Sequence, residues 1–209
     1  MKKNIGDKIV PKYIDQINEF FNEKFRLYGN DTKSLGWSEG SQRTRFEVFA
    51  NLCDLNNKTV LDVGSGFGDL AYFLKKKYPA MTYVGYEINK NFIKNSRPSE
   101  NISFELRDIL RDPPKEKFDA VYSIGALNTA FEQNEKVMKL LIKRAYSCCN
   151  ELAAVSMISK YIEDPYRSDE LHYYDPCKIF TYAKKLSKKV ILLHHYLPHD
   201  FTIVLFKSS

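Results

Sequence analysis

Apolar residues follow two alternating patterns from about residue 57 to the end of the chain. Short runs rich in β-branched and aromatic residues predict strands, and stretches with apolar residues three or four positions apart predict helices. The strand-like runs are KTVLDVG, MTYVGYEI, ISFELRDI, FDAVYSIGA, LAAVSMIS, KVILLHH and FTIVLFK. Helical patterns follow the first, second, fourth and fifth runs, and Asp175 with Pro176 marks the start of the last helix.

Repeated strand–helix units predict a parallel sheet with helices on both faces. The last two strand-like runs are joined only by YLPHD, which is too short for a crossover between parallel strands. We therefore expect an α/β fold of Rossmann-like type, with a seven-stranded, mostly parallel sheet whose last strand runs antiparallel.

The first 56 residues carry a different pattern. The segments KYIDQINEFFNEKFRLYG and EGSQRTRFEVFANLCDL predict two amphipathic helices, with GNDTKSLGWS as a loop between them. We predict that residues 1–56 form a helical cap over the carboxyl edge of the sheet and that residues 57–209 form the core domain.

The glycine-rich turn LDVGSGFGD after the first predicted strand points to a ligand. Ligands of open parallel sheets bind at the carboxyl ends of the strands, and Gly64, Gly66 and Gly68 allow a close backbone approach there. A dinucleotide site has the spacing GxGxxG and a pyrophosphate at the helix start. Here the spacing is GxGxG, and Asp69 opens the helix, where it would repel a phosphate but attract an ammonium. Asp62 adds a second carboxylate.

Two more acids end the next two predicted strands. Glu87 is placed to accept hydrogen bonds from both hydroxyls of a ribose, and Asp108 to accept one from the exocyclic amine of an adenine. The ligand so described has a ribose, an adenine and a cationic amino-acid tail, and it has no phosphate. S-adenosylmethionine meets these demands and NAD does not.

The chain resembles the class I S-adenosylmethionine-dependent methyltransferases over residues 57–207. LDVGSGFGD resembles their first motif, YVGYEI their ribose-binding acid, RDIL their adenine-side acid, and FDAVYSIGALN their fourth motif, whose strand end faces the methyl group. The resemblance implies S-adenosylmethionine as the cofactor. It implies that the cofactor is bound by Asp62, Gly64, Ser65, Gly66, Gly68, Asp69, Glu87, Ile88, Asp108, Ile109, Ser123 and Ile124.

The segments LGW, SQRTRF and YLPHDFTIVLFK are similar to those of a group of small bacterial methyltransferases. By this resemblance Trp37, Gln42 and Arg45 would help to enclose the cofactor, with an arginine reaching its carboxylate. The alternative is that Trp37 only packs and that Arg43 and Arg45 are solvated.

Methyl transfer from a sulfonium requires alignment of donor and acceptor and the removal of one proton. Histidines are the natural candidates for the base. We predict His199, in the turn between the last two strands, and next His172, in the long loop after the fifth strand. The alternative is that His199 and Asp200 only cap the hairpin.

No metal site is predicted. A zinc site made of His194, His195 and His199 with Asp200 is disfavoured, because adjacent residues of a strand point to opposite faces.

The fourth motif also bears on the acceptor. Enzymes that methylate adenine N6 or glutamine amides carry Asn/Asp-Pro-Pro-aromatic there, whereas this chain has the four residues SIGA at 123–126, which argues against nucleic acid as a partner. We expect a small polar acceptor, namely a hydroxyl of a sugar or nucleotide-sugar metabolite. Methylation of tRNA or a protein side chain, or a non-catalytic protein that binds S-adenosylmethionine, are the alternatives.

Composition bears on the kind of ligand and on the cellular compartment. The net charge of +6 is a mild excess that favours anionic ligands without the basic stripe of a nucleic-acid binder. The four cysteines form no CxxC pair, which is typical of reduced thiols in a cytoplasmic protein. No apolar run approaches the roughly 20 residues of a membrane span.

Overall fold

The computed structural model describes residues 5–37 and 40–208, with side chains from residue 9 onward. Residues 1–4 and 38–39 of the predicted cap and residue 209 of the predicted core lie outside the described residues. The helices are α1 (Ile5–Tyr28), α2 (Ser41–Ala50), α3 (Asp69–Lys77), α4 (Lys90–Asn95), α5 (Asn134–Cys148) and α6 (Pro176–Leu186). The strands are β1 (Thr59–Val63), β2 (Thr82–Glu87), β3 (Ile102–Leu106), β4 (Phe118–Ile124), β5 (Cys149–Ile158), β6 (Lys189–Leu193) and β7 (Asp200–Phe206).

The strands form one sheet in the order β3-β2-β1-β4-β5-β7-β6. Strand β7 is antiparallel to both β5 and β6, and the other neighbouring strands are parallel. The predicted seven-stranded fold with a reversed last strand is therefore confirmed. Because β1 to β4 run in the same direction, their carboxyl ends share one edge of the sheet.

Each face of the sheet is covered by helices. One core joins the sheet to α1, α5 and α6, and a second core joins it to α2 and α3. Helix α1 takes part through a stripe of apolar side chains at helical spacing, namely Val10, Tyr13, Ile14 and Ile17. The link from β3 to β4 contains no helix, and α1 shares its core with Ile109 and Leu110 of this link.

The prediction that the sixth strand includes both histidines of KVILLHH was wrong. Strand β6 ends at Leu193, which pairs with Thr202, so His194 and His195 follow the strand. The Nε2 atom of His194 lies 2.8 Å from the hydroxyl of Ser159 instead. The argument from opposite strand faces against zinc therefore does not apply, although residues 5–37 and 40–208 hold no group of three or more residues that could bind a metal.

Helices in the described ranges are all too short or too polar to cross a membrane.

Candidate active site

A cleft lies at the edge of the sheet where β1 to β4 end. Its floor is made by the turn after β1, the residues that end β2, β3 and β4, and the segments that follow them. Its volume is about 1010 Å³ when the open solvent at its mouth is counted. Most of the residues predicted to bind the cofactor line it: Trp37, Gln42, Asp62, Gly64, Ser65, Gly66, Asp69, Glu87, Ile88, Asp108, Ile109 and Ile124.

The carboxylate of Glu87 organises the turns around the cleft. Its Oε2 accepts a hydrogen bond from the Gly66 amide at 2.9 Å, and its Oε1 accepts from the amides of Ile88 at 2.7 Å and Asn89 at 2.8 Å. Burial raises the pKa of Glu87, and these three amides counteract the rise. A carboxylate offers about four acceptor sites, so one remains for a ligand hydroxyl. Glu87 therefore fixes the glycine turn as well as facing the cleft.

Two other acids in the lining keep an oxygen without a partner. Asp62 Oδ2 accepts from the Tyr83 hydroxyl at 2.5 Å, while Oδ1 is buried and has no hydrogen bond. Burial raises the pKa of Asp62 to about 7, against the effect of the Tyr83 hydrogen bond. Asp108 Oδ1 accepts from the Leu110 amide at 2.9 Å, while Oδ2 is buried and unpartnered, and burial raises the pKa of Asp108 as well.

These unpartnered oxygens are acceptors that need donors. The Ser65 hydroxyl, also buried in the lining, has no partner either. Unsatisfied buried polar groups are rare in folded proteins, and their presence in a cleft points to a ligand. A cationic amine and an exocyclic amine match the two carboxylates, so the residues fit S-adenosylmethionine.

The N-terminal segment supplies more of the lining, including side chains of α1 that the sequence did not identify as site residues. Helix α1 contributes four side chains that are apolar or aromatic: Tyr13, Ile14, Ile17 and Phe21. The segment that leads into α2, together with α2 itself, contributes four more lining residues: Leu35, Trp37, Gln42 and Phe46. The apolar period of α1 predicted a buried helical stripe, but such a pattern is the same whether the stripe packs on a core or lines a cleft.

Three predicted cofactor residues lie outside the described lining. The guanidinium of Arg45 is buried and pairs with the carboxylate of Asp200, so it does not reach a ligand carboxylate as expected. The Ser123 hydroxyl donates to the carbonyl of Val63 at 2.9 Å inside the sheet. These two side chains are already satisfied by the protein.

Gly68 also serves the fold. It precedes α3 with a φ of +87°, a backbone conformation that residues other than glycine rarely adopt. A Cβ atom there would lie 2.3 Å from Cζ of Phe104. The left-handed backbone and the packing against Phe104 both favour glycine at this position.

Asp69 lines the cleft and also joins two helices. Its Oδ2 accepts a hydrogen bond from the Gln42 amide at 3.2 Å, which ties α2 to the start of α3. Gln42 thus encloses the cleft from the side of the predicted cap.

Neither predicted base belongs to the described lining. His172 has a buried Nε2 without a hydrogen bond, 3.9 Å from Glu135, and burial lowers its pKa against the effect of that carboxylate. His199 lies before β7 with its Nε2 3.9 Å from Asp200, whose other oxygen pairs with Arg45. Asp200 is held by the arginine, and its Oδ1 makes no hydrogen bond to His199.

Comparisons with known proteins agree with the interpretation of the cleft as a methyltransferase site. A family model described as a methyltransferase domain matches residues 54–193. Phosphoethanolamine N-methyltransferase of Plasmodium falciparum (isolate 3D7) is 32% identical over 136 residues, which span 60% of this chain and about half (49%) of that enzyme. Ribosomal RNA small subunit methyltransferase A of Mycoplasmopsis synoviae (strain 53) is 34% identical over 80 residues, which span 38% of this chain and 30% of that one.

The solved structure of magnesium protoporphyrin IX methyltransferase from Synechocystis PCC 6803 with bound SAH superposes with a TM-score of 0.68. It is 12% identical, and the match covers 95% of this chain and 99% of that one, so it supports the fold alone. The family model covers more than half of the chain, and the motif residues of its strands meet in one cleft. The chain therefore belongs to the methyltransferase domain family, and its motifs and fold are those of the class I S-adenosylmethionine-dependent methyltransferases.

Proposed function

We propose that this enzyme methylates a hydroxyl oxygen of a small molecule with an apolar body. The observation that carries the proposal is the division of the cleft into two chemically different parts. The strand ends supply carboxylates with unpartnered oxygens, and α1 supplies an apolar wall with one buried phenol. The first part suits the cofactor and the second suits the acceptor. Residues 1–56 then act as the cap that completes the acceptor side.

The cofactor side is assigned to residues of the core. Asp62 would accept from the ammonium group, Glu87 would use its remaining acceptor site for the ribose, and Asp108 would accept from the adenine amine. When bound, S-adenosylmethionine supplies a methyl group on a sulfonium, which is electrophilic without further activation. The chain's own task is to orient the ligands and to keep water out.

The acceptor side is argued from Tyr13. Its side chain is 2% exposed, its ring packs edge-on against Phe131 at 5.5 Å, and its hydroxyl is buried without a partner. Burial raises the pKa of Tyr13 well above its usual range, so the phenol stays protonated near neutral pH. Tyr13 can therefore hydrogen-bond an acceptor and position it, but it does not serve as the base. As the methyl group moves from the sulfonium to the acceptor oxygen, the neutral thioether leaves and the hydroxyl proton passes to water at the open mouth of the cleft.

The side chains next to Tyr13 in the apolar wall determine how polar the rest of the acceptor can be. Ile14, Ile17 and Phe21 offer no polar side-chain atoms. A bare sugar would leave several hydroxyls unpaired against them, at about 1–3 kcal/mol for each buried group. This lining favours an acceptor with an apolar body over the sugar that the sequence led us to expect.

Methylation of an amine, the reaction named for the Plasmodium falciparum relative, is the second candidate. A phosphoethanolamine-like acceptor would need a free cation for its phosphate. Arg107 is the one basic side chain in the described lining, and its guanidinium already binds Glu105, Asp112 and the Tyr86 hydroxyl. The lining of this cleft therefore favours an acceptor without a phosphate.

A methyl-incorporation screen tests the proposal. Cell extract is separated into polar small molecules, apolar small molecules, RNA and protein, and each fraction is incubated with the enzyme and labelled S-adenosylmethionine. We expect label in the apolar small molecules. Label mainly in RNA or protein would overturn the assignment of the acceptor.

Tyr13→Phe tests the role of the phenol. We expect up to about tenfold slower incorporation, because a lost hydrogen bond costs about 0.5–1.5 kcal/mol. The affinity for S-adenosylhomocysteine should stay unchanged. Tyr28→Phe, at a 45% exposed position of the same helix, is the matched control.

A further inference from the structure

A buried ion pair holds α2 against the sheet. Arg45 of α2 is 4% exposed and Asp200, the first residue of β7, is fully buried. The Nε of Arg45 donates to Oδ2 of Asp200, and one terminal nitrogen of its guanidinium donates to the Ser41 carbonyl at 2.9 Å. Asp200 is itself fixed by the sheet, where it pairs with Ile158 at the end of β5.

The same guanidinium carries an aromatic ring that lines the cleft. The Cζ of Arg45 lies over the Trp37 ring, 4.8 Å from its centroid. The indole also approaches the end of β4, where a Cβ atom at Gly125 would lie 2.9 Å from Cη2 of Trp37. Gly125 has a φ of +68° and its amide donates to the Ser156 hydroxyl at 3.1 Å. The indole thus packs against the guanidinium and also lies close to a fixed strand end.

A buried ion pair is weak evidence for stability, because the cost of removing both charges from water offsets much of their attraction. Buried ionic groups are retained in some proteins because they fix one geometry. The planar guanidinium of arginine suits this task, because it binds a carboxylate and stacks on an aromatic ring at the same time. A lysine could keep the ion pair, but it could not keep the planar stack.

We propose that Arg45 and Asp200 are positioning residues, which hold Trp37 against Gly125 and so set the shape of the cleft at the end of β4. The inference deepens the proposed function and rests on it only for the identity of the ligand. Neither residue is part of the described lining, and both act through Trp37.

The test uses the fact that the chain has one tryptophan. Fluorescence quenching by acrylamide therefore reports the exposure of Trp37 alone, in the ligand-free protein and without any methyl transfer. The variant Arg45→Lys keeps the charge that Asp200 needs and removes the stack. We expect a folded protein in which Trp37 is more readily quenched.

Binding of S-adenosylhomocysteine, measured by calorimetry, is the second readout. Loss of the cation–π stack should change the equilibrium between the held and the displaced positions of Trp37 by about 2- to 30-fold. The dissociation constant of S-adenosylhomocysteine should rise by a factor within that range. The matched control is Arg43→Met on the same helix. Arg43 is 78% exposed and pairs with Glu47 at 3.0 Å, so its loss should change neither readout.

A folded Arg45→Lys protein with the quenching and affinity of the parent would overturn the proposal. If Arg45→Lys does not fold, the neutral pair Arg45→Met with Asp200→Asn takes its place, with the same expected changes. Failure of both variants to fold would also overturn it, since the pair would then be a determinant of stability. If the parent protein gives no heat with S-adenosylhomocysteine, the proposed function fails while the quenching result still decides the role of Arg45.

Discussion

Replacing Asp62 with asparagine is expected to stabilise the protein and, at the same time, to weaken its binding of S-adenosylhomocysteine. Asp62 is buried beside the glycine turn with one oxygen bonded to Tyr83 and the other unpartnered. An asparagine carbonyl can still accept from Tyr83, but the side chain no longer carries a charge that must be buried. Opposite effects on stability and binding are what a group kept for its ligand should show.

The size of the gain follows from the pKa of Asp62, which rises from an ordinary 3.8 to about 7 in the folded protein. A folded-state pKa above the unfolded value means that the stability from this group is full below about pH 4 and is lost as the pH rises through 7. At about 1.36 kcal/mol per pKa unit, the carboxyl costs roughly 2 kcal/mol at pH 5 and roughly 4 kcal/mol at pH 8. The advantage of asparagine should therefore grow by roughly 2–3 kcal/mol between these pH values.

Thermal unfolding at pH 5 and pH 8 measures this growth. For a chain of this length about 1 kcal/mol moves the melting temperature by roughly 2–4 °C, so the difference between Asp62→Asn and the parent should widen by about 5–10 °C. Glu100→Gln, which changes an exposed carboxyl, is the control and should show no widening. Equal shifts at both pH values would refute the reasoning, as would unchanged affinity for S-adenosylhomocysteine at pH 8.

Two further predictions concern residues whose roles the structure redefines. Glu87→Ala should weaken S-adenosylhomocysteine binding at least about tenfold and also lower the melting temperature, because it removes the acceptor of three backbone amides as well as the ribose site. Calorimetry and thermal unfolding measure the two effects. An unchanged dissociation constant would contradict the assignment. His172→Ala and His199→Ala should each keep turnover near that of the parent between pH 6 and 9, because neither histidine lines the cleft. A loss of about 10²-fold or more in turnover, with cofactor binding intact, would identify the replaced histidine as a general base.

The order and direction of the strands could be predicted because they depend on local patterns. Runs of period two and turns of known length determine whether neighbouring strands can be parallel, and YLPHD alone required the reversal of β7. The floor of the cleft followed from the same logic, since residues just after parallel strands must share an edge. This is why Glu87 and Asp108 were placed correctly beside the glycine turn.

Contacts that join distant segments could not be predicted in this way. Arg45 and Asp200 are 155 residues apart, and no local pattern indicates that a basic residue of α2 will be buried against the first residue of β7. Tyr13 was missed for a related reason. Its helical period predicted burial, but only the packed structure shows that its hydroxyl is left without a partner.

The charge of the cleft differs in sign from that of the molecule. The protein carries a net charge of +6, yet the described lining contains the acids Asp62, Asp69, Glu87 and Asp108 and the single base Arg107. Because these groups lie in a partly dry cleft, they interact with a bound charge more strongly than surface groups would. A ligand that is cationic gains from this field and also gives Asp62 the counter-charge that it lacks. The methyl donor carries a sulfonium charge that its product has lost, so the same acids that favour binding of the donor hold the product less firmly. Mild positive charge on the molecule as a whole therefore says little about the ligand, since the sign that matters is set by four carboxylates at the ends of the strands and beside them.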